Sequence, residues 1–164
     1  VSDLVIRPVG PDDHAAIHAL VAAAFKQPDE ANLVDHLRDD GDALVELVAE
    51  EDGALVGHIL FSPLATDAGA RFAALAPLSV APDRQGDGIG TALMETGHAL
   101  CAMAGVQALI VLGHPAYYPR AGYSAEAAKP VKAPFSGKSF MALELTPGAL
   151  AGPVTVTYAK AFGL

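Results

Sequence analysis

The sequence holds one cysteine, Cys101, and no tryptophan. A lone thiol has no partner in its own chain, which excludes a disulfide-stapled scaffold. No apolar run reaches the ~18 residues of a membrane span. The start, Val1-Ser2-Asp3-Leu4, lacks the basic segment and apolar core of an export signal. Charge is scarce as well: 18% of residues are charged against 52% hydrophobic, which excludes intrinsic disorder. Basic charge is scarcest, with 10 Lys and Arg against 19 Asp and Glu and a net charge of −9. Nucleic-acid affinity is driven by clustered cations that release counterions, and no such cluster is present. These absences predict a cytoplasmic protein with neither a membrane nor a nucleic acid as partner.

What remains is a chain of 164 residues, which fits one domain over residues 1–164. That length buries ~70% of the unfolded surface without staples. The acidic charge is uneven. Residues 1–60 carry 13 acidic and 3 basic residues, residues 61–164 carry 6 and 7. An acidic half steers cationic ligands, although solvated helix faces are the ordinary use of such charge.

Apolar spacing predicts the order βααβββαβαββ. Leu4–Pro8 reads as a strand and Asp12 or Asp13 as the cap of a helix over 13–25, with Ile17, Leu20, Val21, Ala24 and Phe25 on one face. Pro28-Asp29 opens a second helix with Leu33, Val34 and Leu37 inward, and Asp40-Gly41-Asp42 ends it. Strands follow over 44–50, 55–63 and 72–80, the first two joined by the hairpin turn Glu51-Asp52-Gly53. Pro77 cannot donate to a ladder, so it predicts a bulge or a splayed place in the third of these. A helix over 88–104, a buried strand over 108–112, one or two helical turns over 115–120, and strands over 140–145 and 154–158 complete the chain. Strands in a run with helices interspersed indicate an α+β fold.

One stretch carries chemistry. A strand ending Leu78-Ser79-Val80-Ala81-Pro82 runs into Gln85-Gly86-Asp87-Gly88-Ile89-Gly90-Thr91 at the head of the longest helix. Glycines permit positive φ and close approach. The first amides of a helix have no internal partner and sit at its positive end, so the turn makes a phosphate cradle. A P-loop fails for want of a Lys after the glycines. A dinucleotide fingerprint departs in spacing and in Gln107 lying near the place of the acidic residue, so a nucleotide-binding domain on the same glycines stands only as a further alternative.

These residues resemble the GCN5-related N-acetyltransferase family. Val80-Ala81-Pro82 and Gln85-Gly86-Asp87-Gly88-Ile89-Gly90 are similar to its strand exit and pyrophosphate motif. Tyr117-Tyr118-Pro119-Arg120-Ala121-Gly122-Tyr123 is similar to its downstream aromatic motif. Leu112-Gly113-His114-Pro115-Ala116-Tyr117-Tyr118-Pro119-Arg120 looks like a segment of one bacterial subgroup. The resemblance spans roughly residues 3–160. It implies a mixed, mostly antiparallel sheet splayed between the fourth and fifth strands, with acetyl-CoA as acyl donor in the gap. Pantetheine would pair with the backbone of Leu78, Ser79 and Val80. The pyrophosphate would meet Gln85, Gly86, Asp87, Gly88, Ile89, Gly90 and the Thr91 hydroxyl, with the Asp87 side chain turned outward.

The resemblance also implies transfer of acetyl to a small-molecule or peptide amine by direct attack in a ternary complex, with Tyr118 as the acid for the leaving thiolate. Tyr117 and Tyr123 read as packing residues. The strand that carries a Glu in many relatives has no carboxylate here, so Glu46, His58, His114 and water all stand as bases. That gap leaves open a CoA-binding module without catalysis. Cys101 reads as buried, and no metal is expected because no ligand motif joins His14 and His18. Lys129, Lys132 and Lys138 read as solvated or as contacts for the CoA 3′-phosphate. The acceptor and the oligomeric state, a homodimer included, are left open.

Overall fold

A computed structural model describes residues 3–164; Val1 and Ser2, at the head of the stretch read for an export signal, lie outside the described residues. Strand β1 (Leu4–Pro8) leads through a 3-10 turn at Pro11–Asp13 into helix α1 (His14–Phe25). Asp13 precedes α1, but its side chain does not cap that helix. It accepts instead from the Gly10 amide at 2.7 Å and from Arg7 Nη1 at 2.7 Å, closing the turn before the helix. Helix α2 (Asp29–Asp39) follows, with Asp29 and Glu30 at its positive end, where carboxylates are favoured.

Strands β2 (Val45–Glu51), β3 (Ala54–Thr66) and β4 (Phe72–Val80) form an antiparallel run. Helix α3 (Ile89–Met103) then crosses to β5 (Ala108–Leu112), which pairs parallel to β4. The short β6 (Val131–Lys132), β7 (Phe140–Glu144) and β8 (Val154–Thr157) close the chain. The strand order is β1-β2-β3-β4-β5-β7, with β8 attached to the far end of β3 and paired to β6. The expected helical turns near 115–120 are a 3-10 turn at Tyr118–Ala121. At two residues, β6 is too short to show a period in the sequence.

The sheet is covered on both faces. On one, α3 packs Leu93 and Met94 against Ile59, Phe61 and Leu75. Gly97 in α3 is a packing residue, because a Cβ there would overlap the Phe61 ring. On the other, Ile17, Val21, Val34 and Leu37 of α1 and α2 cover Val48 and Leu60. Among the described residues no helix is long and apolar enough to cross a membrane.

Two irregularities open the sheet. Ile59 pairs with Leu78 and Phe61 with Leu75, so β4 carries one more residue than β3 across this interval. The bulge falls at Ala76-Pro77, where the proline predicts it. The β4–β5 ladder holds only at Phe72–Ala108, Ala73–Leu109 and Ala74–Ile110. Beyond Ala74 the β5-facing edge of β4 has no strand partner, and the sheet splays between these strands as expected.

Candidate active site

The split leads into a cavity of about 870 Å³ that runs from the head of α3 to the ends of α1 and the chain's last turn. Leu78, Val80, Gln85, Gly86, Gly88, Ile89, Gly90, Thr91 and Tyr118 all line it. Of the residues read as coenzyme-binding, Ser79 and Asp87 do not line it, and of the candidate bases Glu46 and His58 do not.

Ser79 lies directly opposite His58 of β3, and its side chain is buried on the far face from Leu78 and Val80. Only its backbone is available to the split. The Asp87 carboxylate accepts from Arg84 Nε at 3.0 Å and is half exposed, so its charge points away from the cradle. Arg84 is also paired to Glu51. Glu51 pins the loop to the β2–β3 hairpin, and Asp87 braces it from within. Gln85 Nε2 donates to the Val80 carbonyl at 3.3 Å and ties the other side of the loop to β4.

The glycines serve different ends. Gly86 has φ 89° and Gly88 φ 83°, values a side chain resists, and Gly88 is the cap of α3. Gly90 lies within the helix. A Cβ there would overlap the Tyr117 hydroxyl, so Gly90 lets Tyr117 lie across the helix head. The unpaired amides of the first turn face the cavity beside that hydroxyl.

Tyr117 and Tyr118 stand edge to face with ring centroids 5.1 Å apart, and Tyr118 in turn packs on Tyr123 at 5.9 Å. The Tyr118 ring fills the space above Gly113, where a Cβ would overlap it. Burial first, and the neighbouring Tyr117 second, push the Tyr118 phenol up to about 12, so it holds its proton. Tyr123 is buried and donates or accepts at His98 Nε2, 2.8 Å away, outside the cavity. Cys101 is fully buried in the core beneath α3, and burial pushes its thiol up to about 12.

The three candidate bases separate. His114 lines the cavity, but its Nδ1 accepts from the Ala116 amide at 3.2 Å. The neutral ring then carries its hydrogen on Nε2 and has its lone pair engaged. Glu46 and His58 lie elsewhere, in a chain of polar contacts under α2. His58 Nε2 and Arg38 Nη2 both meet Glu46 Oε2, at 2.8 and 2.5 Å, and Asp35 links Arg38 to His18. Burial works against the Glu46 charge, yet the His58 and Arg38 hydrogen bonds outweigh it and hold its carboxyl below the usual range. His58 Nδ1 and Ser79 Oγ are buried without a hydrogen-bond partner.

Sequence reasoning missed the other half of the cavity. Phe25, Glu30, Leu33, Phe135, Tyr158 and Phe162 line it from separate parts of the chain. No spacing links them; Phe25 at 37% exposure on an otherwise inward stripe is the one local sign. Lys129 pairs with Glu126 at 2.7 Å on the surface, and neither it, Lys132 nor Lys138 lines the cavity. No cluster of three metal-ligating side chains occurs among the described residues.

An open strand edge, the head of α3 and a protonated phenol meet in one cleft. The chain belongs to the Acetyltransferase (GNAT) family, whose model matches residues 11–123. It is 40% identical over 117 residues to the uncharacterized N-acetyltransferase YjhQ of Escherichia coli strain K12, covering 68% of this chain and 64% of YjhQ. The chain thus spans less than two thirds of that relative's length. The crystal structure of Escherichia coli YhbS in complex with CoA superposes with a TM-score of 0.93 at 31% identity, covering 100% of this chain and 94% of YhbS. A GNAT family acetyltransferase from Brucella melitensis in complex with acetyl-CoA gives 0.81 at 36% identity, with 97% of each chain covered.

Proposed function

We propose that this protein is an acetyl-CoA-dependent N-acetyltransferase that acts on a primary amine by direct attack in a ternary complex. The observation that carries this is the unpartnered β4 edge from Leu75 to Val80, which ends at the amide cradle of α3 and faces Tyr118. An extended pantetheine adds to such an edge as a strand does. The backbone of Leu78, Ser79 and Val80 offers the pairing groups. The amides from Gly86 to Gly90 and the Thr91 hydroxyl receive the pyrophosphate. The relatives that hold CoA and acetyl-CoA support the same assignment.

Acetyl-CoA supplies an activated acyl carbon. The amine nitrogen bonds to that carbon and the carbon–sulfur bond breaks, with its electron pair on sulfur. Tyr118, protonated because it is buried, donates to that sulfur and regains its proton from water. The amine's proton leaves to water, since neither Glu46 nor His58 reaches the cavity and the His114 lone pair is engaged. A backbone amide near Val80 is the donor to the carbonyl oxygen. Binding without turnover is the second reading, favoured by the lack of a carboxylate on β4.

Calorimetric titration with CoA tests the binding half. We expect one site that binds CoA and acetyl-CoA and is lost when Gly88 is replaced by Val. Absence of heat with either compound at millimolar concentration overturns the proposal.

A further inference from the structure

The cavity also carries an aromatic wall of Phe135, Tyr158 and Phe162. Phe135 and Tyr158 stand edge to face at 5.6 Å, and Tyr158 and Phe162 at 5.2 Å. Phe25 and Leu33 line the same cavity from α1 and α2.

Glu30 places a negative charge in the same lining. Among the described residues Glu30 is the only acidic one that lines the cavity. Its two oxygens accept from the neutral Gln27 amide at 3.0 and 3.1 Å. It belongs to none of the ion pairs among the described residues. Arg84 is held by Glu51 and Asp87, while His114 and Arg120 line the cavity from the segment after β5, and neither pairs with Glu30. A carboxylate that shares a cavity with aromatic rings and belongs to no ion pair is suited to an alkylammonium. The carboxylate supplies a charge-assisted bond and the rings a cation–π attraction.

The nitrogen that attacks a thioester must be neutral, whereas free alkylamines are protonated up to pH ~10. The charge that Glu30 neutralises therefore belongs to a second nitrogen. We propose that the acceptor is a diamine: a primary amine joined by a methylene chain to a second, charged ammonium. Glu30 holds that distal ammonium against Phe135, Tyr158 and Phe162, and the chain lies on Phe25 and Leu33. Glu30 is thus a specificity residue. The inference rests on the N-acetyltransferase reading and goes beyond it in naming the acceptor class.

The test compares α,ω-diaminoalkanes with n-alkylamines of the same chain length, using acetyl-CoA and the wild-type chain, with free thiol as readout. A charge-assisted contact predicts that kcat/KM favours the diamines by about tenfold or more. Glu30→Gln should erase that preference through KM, with kcat and CoA affinity kept; Glu30→Asp should retain part of it. Unchanged CoA affinity in each variant shows that the fold is intact. Equal use of both amine series by the wild type overturns the proposal, as does a preference that survives Glu30→Gln. So does a Glu30→Gln variant whose kcat collapses with loss of the acidic limb of the pH profile, since that marks a base. Turnover of monoalkylamines alone sinks the diamine and leaves the N-acetyltransferase reading standing. Failure to bind CoA removes both.

Discussion

The hydroxyl of Tyr117 occupies the space that a Cβ on Gly90 would need. The third glycine of the loop is therefore fixed by a side chain 27 positions away, counted along the sequence from residue 90 to residue 117. Gly90→Ala should push Tyr117 off the head of α3 and weaken CoA binding about tenfold or more, in the range of an overpacked site. Tyr117→Phe removes the hydroxyl alone, so the double variant should recover most of the affinity. Calorimetry on the four proteins of this double-mutant cycle reads the coupling directly. Additive losses would show that the two residues act independently.

Tyr118→Phe should lower turnover about 100-fold, the usual scale of a lost acid, with CoA affinity within twofold of wild type by the ~0.4 kcal/mol reach of a group that makes no ground-state contact. Because burial pushes the phenol up to about 12, Tyr118 stays protonated through the working range. The wild-type rate should show no basic limb from Tyr118 below that value. A limb that disappears in Tyr118→Phe while the rate stays high would refute the assignment.

Glu46 contributes to acid stability, beside Asp13, whose carboxyl Arg7 and the Gly10 amide pull down to about 2. The Glu46 carboxyl lies lower in the folded protein than the ordinary 4.5, since the His58 and Arg38 bonds outweigh the cost of burial. A group with a depressed folded pKa stabilises above its unfolded value and loses that contribution as pH falls through the folded one. Thermal midpoints should therefore drop as pH falls below about 4.5, the ordinary value for Glu46. Glu46→Gln should flatten that drop and cost about 3 kcal/mol at neutral pH, because Arg38 and His58 lose their buried partner. An unchanged midpoint would show that the network contributes nothing.

Cys101 is fully buried and its thiol is pushed up to about 12. It should be silent toward a thiol reagent in the native state and react once on unfolding. Native-state assays then count only the thiol set free from the coenzyme. Rapid native labelling would contradict the packing of α3 on β3.

The donor half of the site was legible because it is local. Gly86, Gly88 and Gly90 sit beside one another in the chain, and the phosphate chemistry is that of a single turn and helix head. Pro77 announced the bulge for the same reason, through a missing donor in its own strand. The sheet's splay followed from the family resemblance. Tyr117 read as a packing residue because its role depends on Gly90, which only the fold brings near. Glu46 and His58 read as bases because strands 44–50 and 55–63 flank the site strand. Their side chains instead point to the α2 face, away from the cavity. Glu30 and the aromatic wall carry no pattern at all, since Phe25, Glu30, Phe135, Tyr158 and Phe162 meet only through tertiary packing.

The most direct measurement incubates the protein with acetyl-CoA and a mixture of primary amines, following free thiol and the mass of the amine products together. Amine-dependent thiol release matched by an equal amount of acetylated amine is the predicted result. Tight CoA binding without any acetylated product across the amine panel would contradict an N-acetyltransferase.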